Sequence, residues 1–524
     1  MHLKTLTLAL WAWMSTSFSF AQSPGDPDLT FDIDGRQVLS VGAANAFSRA
    51  TVVQPDGKIL VAGVASNGLD NDFAVLRFNT NGSLDTSFGE QGKVFTDFLA
   101  TTDITESIQL DPLNRILVAG SVDTGDGFAF AIARYTPEGT LDTSFGVGGM
   151  AFHKIGVTGF CKALVVQADH KPVLGGYALN PITGTNEFAL IRYTDEGDLD
   201  PLFGQGGIVM TSAIIGAGVA NAMTLQGDGK IVLAGQALND ATFHWEIAIA
   251  RYHPEGSLDM TWGDEGMLLS GFPQKSFTIN TVTLDRDKNV LVAGYLGTAP
   301  SNNLYALARF DHHGIPDASF GDQGLVMDTY GAQDNEINSL VLQPDGHILI
   351  AGTSLSGNAD RFAIARLDPT GQKDPSFGTN GVVIETIGLN DGIEAITLQS
   401  DGKLLVTGET FTGTRFDLVV ARYETGITTG THDGPLQEAT IYVYPNPASD
   451  YFNISLKSIE QSPLQIQLFD MSGQLVHQYI PNQEIVLDQY HETFQIPDGL
   501  PAGIYHLAVF IGTKVSGTNI VIKP

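Results

Sequence analysis

RYTPEGTLDTSFG, residues Arg134–Gly146, is the stretch on which the reading of this chain turns. The same thirteen-residue frame returns as RFNTNGSLDTSFG from Arg77, RYTDEGDLDPLFG from Arg192, RYHPEGSLDMTWG from Arg251, RFDHHGIPDASFG from Arg309 and RLDPTGQKDPSFG from Arg366. Its second half stands alone near the start as PDLTF, around Asp28 and Phe31, and its first half stands alone as ARYETG around Arg422. An array split in this way reads as a ring cut open inside the motif.

Self-similarity sets the architecture. Phe31, Phe88, Phe145, Phe203, Trp262, Phe320 and Phe377 recur at intervals of 57 to 59 residues. A second marker, QPDGKILVAG, ends at Gly63, and its counterparts end at Gly120, Gly176, Gly235, Gly294, Gly352 and Gly408. A third, FAVLRF and its relatives, carries Arg77, Arg134, Arg192, Arg251, Arg309, Arg366 and Arg422. Each repeat accommodates four short strands: one after the Phe-Gly marker, a hairpin across Asp56-Gly57 and its equivalents, and the FAVLRF strand. Asp-Gly between alternating apolar runs is a strong hairpin signal because glycine takes positive φ without steric cost. Asn114, His170 and Lys288 stand where three repeats lack that glycine, which weakens those turns. No stretch sustains a helical period. The expectation is an all-β chain with a seven-bladed β-propeller over residues 22–425. An open solenoid would need terminal caps and would leave edges exposed.

In the six intact copies an Asp lies eight residues after the Arg: Asp85, Asp142, Asp200, Asp259, Asp317 and Asp374. An arginine inside an apolar strand is costly to bury unless paired, so Arg–Asp pairs are expected across this turn. Arg422 lacks a downstream Asp and Asp28 an upstream Arg, so these two are expected to meet and close the ring. Asp32-Ile33-Asp34-Gly35 lacks the further oxygen donors of a calcium loop and reads as a turn; no metal or cofactor is expected.

The LDTSFG, QPDGKILVAG and FALxRY elements resemble the delta-60 repeat family, a β-propeller-like repeat of bacterial surface and secreted proteins whose members mostly lack a defined activity. Pro172, in the third repeat, and Leu113-Asn114, in the second, depart from the pattern and put those hairpins in doubt.

Segment lengths separate two faces. Fifteen residues run from Arg49 to Gly63 in every repeat, and thirteen from Arg to Gly through the joint motif. All length variation falls in the other two connections, on the opposite face, where function tends to sit. That face carries Tyr177, Trp245 and Tyr295, which can stack on sugars or fill a partner's pocket. It is also expected to lie near a ring of polar residues at the start of each second strand: Arg49, Glu106, Lys162, Asn221, Asn280, Asn338 and Glu394. Either these side chains face a ligand or they cap strand ends. No catalytic motif occurs, and a non-enzymatic module binding glycan or protein is expected. The alternative is a polysaccharide-active enzyme, hydrolase or lyase, using divergent acids near the channel; Glu106 and Glu394 flank Arg49 in the ring, but acids among Asn and Lys at this position read as chance.

The net charge of -31 repels phosphate backbones and anionic lipid, which excludes nucleic acid as partner. Cys161 is the single cysteine, so no intramolecular disulfide forms. Residues 1–21 read as an export signal: Lys4, an apolar core from Leu6 to Met14, and Ser19-Phe20-Ala21 before the cut. The apolar run is too short for an integral membrane segment. Residues 426–438 read as a linker. Beyond them, YPNPASDYFNISL, LFDMSGQLV and LPAGIYHLAV have the strand spacing of a small Ig-like β-sandwich. They resemble the type A C-terminal sorting domain of the type IX secretion system, over residues 439–524. The resemblance implies a Bacteroidota-type cell, the outer-membrane type IX machinery as partner, and a cargo released or held at the outer surface.

Overall fold

The computed structural model describes residues 22–213, 216–272, 274–297, 303–331 and 333–426. In the C-terminal part it describes 441–444, 451–456, 462–470, 475–485, 490–497, 500–501, 503–511 and 514–522. The expected export signal and most of the expected linker lie outside these residues.

Seven four-stranded antiparallel sheets form the blades. Blade 1 runs Ala46–Val53, Ile59–Ser66, Asn71–Phe78, Lys93–Thr96 from the axis outward. The inner strands of blades 2 to 7 are Asp103–Leu110, Gly159–Val166, Gly218–Leu225, Ser276–Leu284, Gln333–Leu342 and Asp391–Leu398, and each packs on its neighbour around the channel. Blade and repeat are offset by one strand. The strand after each Phe-Gly marker does not open its own blade but pairs with the preceding one, as Lys93–Thr96 does with Phe73–Leu76. Arg36–Leu39 is therefore the outer strand of blade 7, in register with Leu418–Ala421.

The second and third strands are almost wholly buried because each blade is covered on both faces. Their period of two divides the side chains between neighbours. Leu60, Ala62, Phe73 and Val75 pack with Ile116, Val118, Ala131 and Ala133 of blade 2. The alternate residues Ile59, Val61, Ala74 and Leu76 pack with Leu405, Leu418 and Val420 of blade 7. The doubtful hairpins form: Pro172 opens its strand, where a missing N–H costs nothing. Asn114, His170 and Lys288 take the left-handed conformation (φ 62, 67 and 64°) that Gly57 takes at 83°. Lys288→Gly relieves that strain and is expected to stabilise the propeller by about 0.5–1 kcal/mol in chemical denaturation.

The thirteen-residue motif builds a joint between blades. Arg77 meets Asp85 at 2.8 Å, Arg134 meets Asp142 at 2.8 Å, Arg192 meets Asp200 at 3.0 Å, and Arg251 meets Asp259 at 2.8 Å. Arg309 meets Asp317, and Arg366 meets Asp374, both at 2.8 Å. Each guanidinium lies over the marker ring of its own motif, at 4.5 to 5.3 Å from the centroid. Each also donates to a carbonyl of the following repeat, as Arg77 does to Pro137 at 2.6 Å and Arg192 to Pro254 at 2.7 Å. Gly139 rests on the Phe88 ring so closely that a Cβ would lie 2.7 Å from it. At the split copy, Arg422 Nε donates to Asp28 Oδ2 at 2.5 Å, stacks on Phe31 at 4.8 Å and donates to Thr80 O at 2.6 Å.

The C-terminal part is an antiparallel two-sheet sandwich. Tyr451–Leu456 lies between Ile441–Tyr444 and Tyr490–Gln495 in one sheet. The other has the order Leu475–Ile485, Ser462–Phe469, Gly503–Ile511, Lys514–Ile522. Phe452, Ile466, Leu468, Leu507 and Ile520 are buried in it.

Candidate functional site

The polar ring sits in mid-strand, not at the strand start, and the cause is a β-bulge repeated in every blade. Pairing between inner and second strands slips by one residue at Ser48/Ala50, Thr105/Ser107, Cys161/Ala163, Ala220/Ala222, Ile279/Thr281, Ile337/Ser339 and Ile393/Ala395. The residues left over are Arg49, Glu106, Lys162, Asn221, Asn280, Asn338 and Glu394. A bulge re-aims the side chain it frees, and all these residues except Glu106 line a central channel segment of about 250 Å³. The marker glycine makes this possible. A Cβ on Gly63, Gly120, Gly176, Gly235, Gly294, Gly352 or Gly408 would lie 1.9 to 2.1 Å from a carbonyl oxygen of the inner strand.

Ring polarity is largely satisfied within the ring. Arg49 meets Glu394 at 3.0 Å and Lys162 meets Glu106 at 2.5 Å. Asn221, Asn280 and Asn338 each donate to the carbonyl preceding the next ring residue, Ile279, Ile337 and Ile393, at 2.9, 2.9 and 2.8 Å. One feature stands apart. Glu409, in the second strand Leu404–Phe411, stands next to Glu394 with its Oε2 buried and without a hydrogen-bond partner. Burial first, and then the charge of Glu394, push Glu409 well above the ordinary carboxyl range despite Arg49; burial also raises Glu394, against the opposing charge of Arg49. Burial lowers Arg49, but Glu394, Glu106 and Glu409 outweigh it and keep the guanidinium charged.

Tyr177 and Tyr295 belong to second strands rather than loops, each directly after its marker glycine and half-buried. Glu409 follows Gly408 in the same way, and that alignment is the signal that marks it. Trp245 lies at the start of the third strand of blade 4, where its backbone N–H donates to Ser276 Oγ at 3.1 Å; it belongs to the blade 4–5 rim. Two half-buried aromatic strips lie at the variable-face ends of the strands. In one, Phe160 lies 4.9 Å from Phe128 and 5.4 Å from Tyr177, beside Lys162. In the other, Phe416 lies 5.1 Å from Phe411 and 5.3 Å from Phe47, over which Arg49 is placed at 5.9 Å. Phe47, Phe128, Phe160 and Phe416 come from different strands, so no local pattern groups them.

The opposite face has a hollow of about 390 Å³ lined by Gln226, Lys230, Arg251, Lys288, His312 and His313. Lys230 and Arg251 both hold Asp259, at 3.1 and 2.8 Å, so their charge serves the joint. Among the described residues no helix is long and apolar enough to cross a membrane.

Residues 54–88, 114–145, 226–261, 343–377 and 399–426 match the DUF5122 beta-propeller, a domain of unknown function, and residues 442–523 match the secretion system C-terminal sorting domain. No curated protein matches the chain. Among solved structures the chain is similar to a protein of unknown function from Dyadobacter fermentans DSM 18053, at 12% identity and TM-score 0.42, covering 75% of this chain and 100% of that one. It is also similar to polysaccharide lyase Uly1, at 12% and 0.45, covering 72% and 89%. The β-propeller domain of the Trilobed protease from Pyrococcus furiosus is similar at 11% and 0.39, covering 75% and 100%. The sorting domain engages the type IX secretion machinery and directs export to the cell surface or extracellular space. The chain thus carries DUF5122 β-propeller repeats, delta-60-like, and ends in a secretion system C-terminal sorting domain.

Proposed function

We propose that the exported propeller is a non-enzymatic binding module that takes an extracellular glycan or protein at the channel mouth of its variable face. The observation carrying this reading is the pair of three-ring aromatic strips, each ending beside a charged ring residue. Half-exposed rings offer stacking area at low entropic cost, and the adjacent Lys162–Glu106 and Arg49–Glu394 pairs supply hydrogen bonds at fixed positions. A glycan array and a pull-down of surface proteins with the mature chain test it. Phe160→Ala with Tyr177→Ala is expected to weaken any hit by about 30-fold or more, the loss of about 2 kcal/mol typical of a buried aromatic anchor. Equal binding by the double variant removes the support.

A second reading, a polysaccharide-active enzyme, is favoured by the Glu394–Glu409 pair, two carboxyl groups both pushed above their ordinary range beside Arg49. Such a pair can donate and accept a proton at one place. Incubating each array hit with the protein and analysing products decides between the two. Cleavage abolished by Glu409→Gln establishes the enzyme, whereas intact ligand retained by both proteins supports the binding module.

A further inference from the structure

The blade 1–blade 2 junction, on the variable face, holds three carboxylates from three separate segments. Asp72 is near the start of the third strand of blade 1, Asp97 follows its outer strand, and Asp103 opens the inner strand of blade 2. One oxygen of each lies within 4.8 Å of the others. Asp103 is 0% and Asp72 6% exposed, and the Oδ1 atom of each is buried without a hydrogen-bond partner. Only their second oxygens are satisfied: Phe98 N donates to Asp103 Oδ2 and Asn67 Nδ2 to Asp72 Oδ2, both at 3.0 Å. No described lysine or arginine pairs with any of the three, and Asp70 adds a further negative charge. Burial and these neighbours push Asp103 up to about 7.

The equivalent socket between blades 6 and 7 shows what is missing. Asp391 stands where Asp103 stands, but Thr410 Oγ1 donates to its Oδ1 at 2.6 Å and Arg361 approaches its Oδ2 at 3.6 Å. Strand register places Val122 where Thr410 stands, and Asp72 where Arg361 stands. One junction thus carries its own cation, while the other has replaced that cation with a third acid. Buried carboxylates left facing one another require a proton or a counter-charge.

We propose that Asp72, Asp97 and Asp103 bind a calcium ion that clamps blade 1 to blade 2. The donors are all hard oxygens, and separations within 4.8 Å lie inside the span that ligands at about 2.3–2.6 Å reach across one calcium ion. Magnesium demands a near-ideal octahedron and dehydrates reluctantly, so a site built from carboxylates of three separate segments suits calcium better. An exported protein meets calcium at the concentrations where extracellular sites of about 10⁻⁴–10⁻³ M affinity fill.

The test is calorimetric titration of the mature chain with CaCl₂, together with thermal unfolding in CaCl₂, in MgCl₂ and in EDTA with NaCl at matched ionic strength. Calcium is expected to raise the midpoint of the propeller by about 2–5 °C, and magnesium and salt by much less. Asp103→Asn folds, because Asn335 already occupies the corresponding place in blade 6 and accepts from Tyr330 N at 3.0 Å. That variant is expected to lose the calcium response and to unfold at a higher temperature than wild type in EDTA. Asp264→Asn, an exposed acid elsewhere, keeps the response. Absence of a calcium-specific response in wild type, or an undiminished one in Asp103→Asn, overturns the proposal.

Discussion

Gly120→Val is expected to destabilise the propeller by about 3 kcal/mol or more in urea or thermal unfolding, at the upper end of overpacking costs. A Cβ there would lie 1.9 Å from Ile104 O, which belongs to the backbone of the inner strand and has no rotamer to change. Gly120 has an ordinary φ, so conformational freedom is not what selects glycine here; the approach of the bulged strand is. Forcing the strands apart unpicks the slip at Thr105/Ser107 that frees Glu106, and so also disturbs the contact of Glu106 with Lys162. Gly227 has open space around the added carbon, and Gly227→Ala is expected to stay within about 0.5 kcal/mol of wild type. Similar costs at both positions would show that the bulge does not constrain the marker.

Removing the closing carboxylate is the second large effect. Asp28→Ala leaves the buried Arg422 without a charged partner, while the half-buried Lys403 keeps Glu424 at 3.1 Å, and the loss is expected to reach about 3–5 kcal/mol. Arg422→Met added to Asp28→Ala should recover part of that loss, because the stranded charge goes with it. The pH dependence follows from the same group. Burial tends to raise Asp28, but hydrogen bonds from Lys403 and Thr30 and the charge of Arg422 outweigh it and hold the carboxyl at about 2. A depressed pKa means that the folded ring binds its proton later than the open chain does. The closure therefore contributes fully above about pH 4 and is lost as pH falls toward 2. Asp85, Asp142, Asp200, Asp259, Asp317 and Asp374 shift in the same direction, so acid should release the joints over one range. Acid titration followed by circular dichroism checks this. An Asp28→Asn chain with an unchanged acid midpoint would remove Asp28 from the closure.

The architecture was legible because it repeats. A Phe every 57 to 59 residues and an Arg–Asp interval of eight are visible in one dimension, and they define blades and joints before any contact is known. The offset between repeat and blade was not legible, since Lys93–Thr96 has no local property that says whether it pairs with Asn71–Phe78 or with a strand to come. The bulge was half visible. Its glycine and its polar residue both recur, but their relation is a contact across a hairpin, Gly63 against Ser48, and no short window contains it. Tyr177 read as a loop residue because the apolar run ends at Gly176, although the strand continues to Leu179. The aromatic strips and the three-aspartate junction draw on separate turns and strands, each unremarkable alone, and only the stacking of blades gathers them.

The offset of one strand also sets an order of assembly. Asp28 and Arg422 are 394 residues apart, and Arg36–Leu39 finds its partner strand only after the last repeat exists. Earlier blades can stack on one another as the chain emerges, each contact spanning little more than one repeat, whereas the closing contact carries the largest loop entropy in the molecule. Until then Leu418–Ala421 presents an unpaired edge, open to any strand that reaches it first. The ring thus works as a check on completeness: a chain that stops short of its seventh repeat leaves Arg36–Leu39 with no strand to pair, and that orphan strand marks it as unfinished.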